Sequence, residues 1–132
     1  MDPRTAACAY REEAFENAPP LKIVRLMYQG ALRFLEAAAQ EDPSDPRSRF
    51  VHLVGRADAV VTELRLALDA PQAPQVASDL ERLYLFVESV LQRALVERCA
   101  DQLPAARAVL SKLLEAWTKV ELDASQPASG AA

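Results

Sequence analysis

The chain has 132 residues, of which 51% are hydrophobic and 26% charged, and its formal net charge at pH 7 is −4. A single domain of this length buries about two-thirds of the surface that its unfolded chain exposes. The negative charge argues against nucleic acid as the main partner, because phosphate contacts need clustered Lys and Arg. No apolar run approaches the roughly 20 residues of a membrane-spanning helix, and no secretion signal opens the sequence, so we expect no membrane insertion and a cytoplasmic protein.

The first predicted helix, from about Pro20 to Gln40, carries more apolar residues than one buried face requires. Two stripes at three-and-four spacing run along it side by side. A helix with two apolar stripes packs against two neighbours, or against one neighbour and a partner. The first stripe contains Leu21, Val24, Tyr28, Ala31 and Leu35, and the second contains Ile23, Met27 and Phe34, with Gly30 between the last two.

Prolines and polar turns separate three further predicted helices. Ser44 or Asp45 is the predicted cap of the second helix, with Pro46 in its first turn. Residues 70–74 separate the second helix from the third, and Asp101 and Pro104 begin the fourth. The predicted core residues are Phe50, Val54, Ala57, Val61, Leu64 and Leu68 on the second helix, Val76, Leu80, Leu83, Val87, Val90 and Ala94 on the third, and Leu103, Ala106, Leu110, Leu113, Trp117 and Val120 on the fourth.

Helices of similar length joined by short turns predict an all-α fold, an antiparallel up-and-down four-helix bundle with a short N-terminal arm. We expect the arm over residues 1–18, the bundle over 19–122 and a disordered tail over 123–132. Tyr28 and Trp117 are expected in the core, and Gly30 is expected to permit a close approach of two helices.

No constellation of catalytic residues is visible, so we predict neither an enzyme nor a bound cofactor or metal. There is one histidine, His52, no glycine-rich phosphate loop, and no metal-ligand spacing around Cys8 or Cys99. Histidine phosphotransfer domains are also four-helix bundles, with an exposed His and a Gly four residues later. Here Gly55 follows His52 after three residues, which favours an ordinary surface histidine and leaves phosphotransfer as an alternative.

Several motifs follow one another in the order and spacing of a known family. They are Ala9-Tyr10 near the N-terminus, Leu26-Met27-Tyr28-Gln29-Gly30-Ala31 in the first helix, Leu80-Glu81-Arg82-Leu83-Tyr84-Leu85-Phe86-Val87 in the third, and Leu113-Leu114-Glu115-Ala116-Trp117 in the fourth. Together they resemble the FliS family of flagellar export chaperones over nearly the whole chain. The chain departs from the family pattern at Gln29, where that pattern usually has an acidic residue or Asn, and at Leu85, where it often has an acidic residue.

The resemblance implies a cytoplasmic chaperone that binds the disordered C-terminal segment of flagellin. Such a chaperone prevents premature polymerisation and aids delivery to the flagellar type III export apparatus, and some members contact regulators of flagellar genes. The resemblance implies no cofactor. It also suggests that Tyr10 acts as a removable cap, lying on the binding groove when flagellin is absent.

Apolar residues beyond the predicted core are the candidates for a groove that receives helices of a partner. For Ile23, Met27, Tyr84 and Leu91, packing between helices is an equally good interpretation. A bundle that only dimerises through its extra apolar stripe is the third alternative. The candidate partner-binding residues are Tyr10, Ile23, Met27, Val51, Val60, Tyr84, Leu91 and Leu95.

Overall fold

The structure, a computed structural model, describes residues 2–6, 21–68 and 74–125. In these ranges lie four long helices and no β-strand, which confirms the predicted all-α fold class. Residues 3–6 add one helical turn near the N-terminus. The long helices are α1 (Leu21–Ala38), α2 (Phe50–Leu66), α3 (Pro74–Glu97) and α4 (Leu103–Ser125).

The predicted limits of the arm and the tail can be compared with the ends of the helices in part. Because α4 continues to Ser125, the predicted tail from residue 123 begins inside this helix. Residues 7–20 and 126–132, which hold most of the predicted arm and tail, lie outside the described residues. The arm and tail therefore stay predictions over those positions.

The start of α2 differs from the prediction, because the acidic residues before it serve turns instead of the helix. The helix begins at Phe50 and not near Pro46. Asp42 Oδ1 accepts hydrogen bonds from the backbone N–H and the hydroxyl of Ser44, at 2.9 and 2.7 Å. Asp45 Oδ1 accepts one from the backbone N–H two residues later, at 2.9 Å. Side chains of this type compete for backbone donors in turns as readily as at helix caps. The predicted cap at Ser44 or Asp45 is therefore wrong.

The four helices form a ring in which each packs against two neighbours. Both α1 and α3 pack against α2 and α4, whereas the diagonal pairs among the described residues are too far apart for backbone contact. Arg25, in the first turns of α1, donates from Nε to Glu121 Oε2 near the end of α4 at 2.6 Å, so these two helices run antiparallel. All six residues predicted for the core of α4 are buried, as are five of the six on α2 and five of the six on α3.

One buried cluster of hydrogen bonds joins three of the helices. The hydroxyls of Tyr28 on α1 and Tyr84 on α3 share a hydrogen bond, and Trp117 Nε1 on α4 donates to Tyr28 Oη at 2.9 Å. Burial raises the pKa of Tyr28 well above its ordinary value of 10.0, so its hydroxyl keeps the proton. Side chains thus bridge the diagonal pair α1 and α3, whose backbones do not touch. The expected core positions of Tyr28 and Trp117 are confirmed.

Candidate protein-binding surface

Four residues run along α1 beside its buried face, and we call them the α1 stripe: Ile23, Met27, Gly30 and Phe34. Steps of four, three and four residues place all of them on one side of the helix. Ile23 is 49% exposed, while Met27 and Phe34 are half-buried and pack against the core. The stripe is therefore anchored in the core along one edge and open to a partner along the other.

The α1 stripe lies on the side of α1 that faces α2. The guanidinium carbon of Arg56 on α2 is 5.5 Å from the centre of the Phe34 ring, which is cation–π geometry. Val60 follows Arg56 by one turn on the same side of α2 and is half-buried. Arg25, which pairs with Glu121 of α4, marks the opposite side of α1. The α1 stripe and Val60 therefore border one depression, which we call the α1–α2 groove.

A second set of four residues lies on the other side of α2, and we call it the α2 stripe: Val51, Gly55, Asp58 and Thr62. It repeats the steps of four, three and four residues found in the α1 stripe. Val51 is 41% exposed and the other three are half-buried. The hydroxyl of Thr62 donates to Glu88 Oε1 of α3 at 2.6 Å, so the α2 stripe faces α3.

The matching face of α3 is mixed in character. Leu85, Glu88, Gln92 and Leu95 share one side of this helix, since they are three, four and three residues apart. Leu85 is 44% exposed and Leu95 is half-buried against the core. In an antiparallel pair with Thr62 level with Glu88, Leu95 comes level with Gly55. We call the depression between the α2 stripe and this face of α3 the α2–α3 groove.

Two carboxylates lie in the α2–α3 groove, Glu88 on α3 and Asp58 on α2. Glu88 is buried and also accepts from Arg65 Nε at 2.6 Å. Burial acts to raise the pKa of Glu88, but the hydrogen bonds from Arg65 and Thr62 outweigh it and hold the pKa below its ordinary value of 4.5. Asp58 shows the opposite behaviour, because burial and then the charge of Glu88 raise its pKa above 3.8, against the opposing charge of Arg65.

Five of the eight predicted partner-binding residues border a groove. Ile23, Met27 and Val60 meet at the α1–α2 groove, and Val51 and Leu95 lie along the α2–α3 groove. They therefore border two grooves, one on each side of α2.

Two of the predicted residues belong to the core instead of a groove. Tyr84 is 2% exposed and Leu91 is 0% exposed, so neither presents a surface to a partner in this conformation. Tyr84 points between the helices towards Tyr28, and Leu91 is two turns further along the same buried face of α3. Tyr10 lies outside the described residues, and the cap suggested for it stays a prediction.

Residues that the sequence analysis did not name as partner-binding complete both grooves. Phe34 was recognised as part of an apolar stripe, and its place beside α2 depends on Arg56. Asp58 was missed because a lone acidic residue on a helix carries no signal of its own. The three-and-four spacing from Val51 through Gly55 to Asp58 and Thr62 was the available sign.

Gly30 does not have the role expected of it. A Cβ built on Gly30 meets no atom within 4 Å, so no neighbouring helix requires a glycine there. The expected close approach of two helices is therefore wrong. A Cβ built on Gly55 likewise meets no atom within 4 Å. Each groove thus contains a glycine with open space above it in the middle of a helix.

The described residues include one histidine, His52, and one cysteine, Cys99. His52 is exposed on α2, which both the surface interpretation and the phosphotransfer alternative require. No group of three or more His, Cys, Asp or Glu in the described ranges is placed to hold a metal ion. Cys99 is a half-buried free thiol after the end of α3. None of the helices described is both long and apolar enough to cross a bilayer.

The N-terminal turn packs on α4, away from both grooves. Thr5 N–H donates to Asp2 Oδ1 at 2.9 Å, and Ala6 is buried as part of the core cluster. Between this turn and α4 lies a cavity of about 320 Å³ lined by Asp2, Pro3, Arg4, Lys112, Glu115, Ala116 and Lys119. The start of the predicted arm therefore contacts the bundle at α4.

Comparison with known proteins identifies the family. The sequence profile described as flagellar protein FliS matches residues 3–124. The chain belongs to the FliS family. It is 30% identical over 120 residues to the flagellar secretion chaperone FliS of Campylobacter jejuni, covering 91% of this chain and 94% of that relative. It is 29% identical over 108 residues to the flagellar secretion chaperone FliSB of Pseudomonas aeruginosa, covering 80% of this chain and 84% of that relative. No solved structure matches the chain.

Proposed function

We propose that this protein is a cytoplasmic export chaperone that holds the C-terminal segment of flagellin along the two grooves beside α2. In this role it prevents flagellin from polymerising early and presents it to the flagellar export apparatus. The observation that carries the proposal is the pair of grooves, one on each side of α2, that exposed apolar residues such as Ile23 and Val51 border, in a chain whose relatives are flagellar secretion chaperones. Partners among flagellar regulators remain a prediction from the resemblance.

The physical mechanism is recognition of amphipathic helices in grooves. Side chains such as Ile23 and Val51 expose apolar surface to water in the free protein, and burying such surface contributes about 25 cal/mol per Å². A segment that is disordered before binding loses conformational entropy when it becomes ordered. Two grooves supply the long interface that offsets this loss. Met27 suits such a surface because its unbranched side chain adapts to different neighbours.

The proposal includes no catalytic step, and phosphotransfer is the alternative with the sharpest test. His52 is exposed and so reachable by a phosphodonor. Phe50 and Val54, two residues before and after it, are fully buried. An exposed residue between buried ones is ordinary on any amphipathic helix. Acid-labile phosphate on His52, lost in His52→Gln, would favour the alternative over the chaperone.

The proposal is tested by calorimetric titration with the C-terminal segment of flagellin from the same organism. We expect one segment per chain, a Kd of about 1 μM or tighter (roughly −8 kcal/mol) and a negative heat-capacity change. Concentration-dependent mass without any heat of binding would instead support the dimerising bundle. Absence of both heat and a size shift would refute the chaperone proposal.

Three variants show whether the grooves are the binding surface. Ile23→Asp places a charge in the α1–α2 groove and Val51→Asp places one in the α2–α3 groove, and each should weaken binding at least tenfold. Ala108→Asp is the matched control, because Ala108 is an exposed apolar residue on α4, the helix diagonal to α2. Equal affinity of all three variants and the unchanged protein would place the client elsewhere.

A further inference from the structure

Asp58 occupies the middle of the α2–α3 groove, between two apolar ends. Val51 and Leu95 lie towards one end, and Leu66 and Leu85, both exposed, lie towards the other. Asp58 is about two helical turns from Val51 and from Leu66, and the two ends are about 22 Å apart at 1.5 Å per residue. The groove therefore has the pattern apolar, acidic, apolar over a length that one short helix would cover.

One oxygen of the Asp58 carboxylate lacks a hydrogen-bond partner among the described residues. This atom, Oδ1, is buried without a hydrogen bond. The nearby cation, Arg65, is already engaged, because it donates to both oxygens of Glu88, at 2.6 Å from Nε and 3.3 Å from Nη2. A buried acceptor left without a donor is destabilising, and the great majority of such groups in proteins are satisfied.

The space beside Asp58 suits a long side chain. Gly55 precedes Asp58 by three residues on the same stripe, and a Cβ at Gly55 would meet nothing within 4 Å. A glycine in the middle of a helix lowers the stability of that helix by about 0.5–1 kcal/mol relative to alanine. The open space at Gly55 therefore comes at a cost in helix stability. Lys and Arg are the side chains that lay an apolar stem along such a surface and carry a donor at the end.

The charge around the groove favours a basic partner. The charge of Glu88 acts on Asp58, and the charges of Asp58, Glu81 and Glu88 all act on Arg65. Arg65 forms its hydrogen bonds with Glu88, so these four side chains together carry net negative charge. Complementary charge across an interface sets the register and the selectivity of binding.

We infer that the α2–α3 groove selects a client helix with a Lys or Arg whose side chain passes over Gly55 and binds the Asp58 carboxylate. Apolar residues two turns before and after that basic residue fill the Val51–Leu95 and Leu66–Leu85 ends. The inference rests on the proposed function and names the chemistry that its client needs at one position. Rotation about the last side-chain torsion of Asp58, which is broad, brings either oxygen to the donor.

The test compares Asp58→Asn with the unchanged protein, using the flagellin C-terminal segment as the probe. Asn keeps the size of the side chain and removes its charge, so the affinity should fall by about tenfold, the range of a charge-assisted hydrogen bond. The affinity of the unchanged protein should also fall with added salt more steeply than that of the variant. Glu36→Gln is the matched control, since Glu36 is an exposed acid on α1 and its loss should leave the affinity unchanged.

A double-mutant cycle identifies the partner residue. Each Lys and Arg of the probe is replaced by Met in turn, and one replacement alone should lose its effect when Asp58 is already Asn. Asp58→Lys should in turn bind best to the probe in which that residue is Glu.

Each failure has a distinct meaning. Tight binding by the unchanged protein with equal affinity for Asp58→Asn overturns the inference and leaves the chaperone proposal standing. So does a cycle in which every replacement is additive. Absence of binding by the unchanged protein overturns both.

Discussion

The hydroxyl of Tyr28 is the clearest place to test how the bundle is held together. It accepts a hydrogen bond from Trp117 Nε1 at 2.9 Å and shares another with the hydroxyl of Tyr84, and its side chain is fully buried. Tyr28→Phe removes one oxygen atom and both hydrogen bonds and leaves the ring. The fold should survive while α1, α3 and α4 lose their shared polar contact.

The expected loss follows from the two hydrogen bonds. A buried hydrogen bond contributes about 1 kcal/mol net, so Tyr28→Phe should lower the free energy of unfolding by roughly 2 kcal/mol. At about 4 °C per kcal/mol for a domain of this size, the midpoint of thermal unfolding should fall by roughly 8 °C. Tyr84 and Trp117 make further interactions, so the figure counts only the bonds made by Tyr28 itself.

The assay is urea unfolding followed by circular dichroism and by tryptophan fluorescence. The chain has one tryptophan, so the fluorescence reports directly on Trp117 beside the removed hydroxyl. Tyr84→Phe removes the bond between the tyrosines and keeps the one from Trp117 to Tyr28, and the loss of that shared bond should lower the free energy of unfolding by about 1 kcal/mol. Because the two variants share that bond, the double variant should lose less than the sum of the single losses.

A loss below about 0.5 kcal/mol for Tyr28→Phe would refute this account, since it would show that the hydrogen bonds do not contribute net stability. Flagellin binding measured well below the unfolding temperature should be unaffected. A selective loss of binding in a stable variant would mean that the cluster is part of the binding surface after all.

Three further predictions separate core, groove and charge. Leu91→Ala should lower the free energy of unfolding in urea by about 2–5 kcal/mol, as for a fully buried leucine; a loss no larger than that of half-buried Leu95→Ala would contradict its core position. Gly30→Ala should raise the free energy of unfolding by about 0.5–1 kcal/mol, because the added methyl meets open space; a lower melting temperature would contradict the open geometry. Asp58→Asn should raise the melting temperature at pH 7, because the raised pKa of this carboxyl means that its charged form opposes folding above the ordinary value of 3.8. That gain should vanish as the pH falls below 3.8, and a gain independent of pH would show that charge is not its cause.

The periodicity of the sequence predicted the helices and most of the core. Sixteen of the eighteen core positions proposed on the second, third and fourth helices are buried, and the two exceptions, Leu68 and Leu83, are half-buried against the core. Such agreement is expected, because a 3.6-residue repeat places apolar residues on one face whatever the neighbouring helices are. The motifs that resemble the FliS family were likewise sufficient to predict a family that the profile match confirms.

The sequence could not separate groove from core on helices that are apolar on two sides. Tyr84 and Ile23 look alike as extra apolar residues, yet Tyr84 points between helices and Ile23 points to solvent. A residue belongs to the core if its side chain points towards the other helices, and to a groove if it points beside them. That direction depends on how the four helices are arranged around one another. The start of α2 was missed for a related reason, since Asp42 and Asp45 can serve a turn or a cap equally well.

The sequence by itself determined the helical repeat, the buried faces and the family, because these depend on local spacing and on short motifs. Only the tertiary structure decided which of the surplus apolar residues border the two grooves beside α2 and which lie in the core. It also decided that Oδ1 of Asp58 is buried without a hydrogen bond, while the carboxylate of Glu88 accepts hydrogen bonds from Thr62 and Arg65. Hydrogen bonds and burial between helices depend on distances across the bundle, and residues far apart in the chain set those distances.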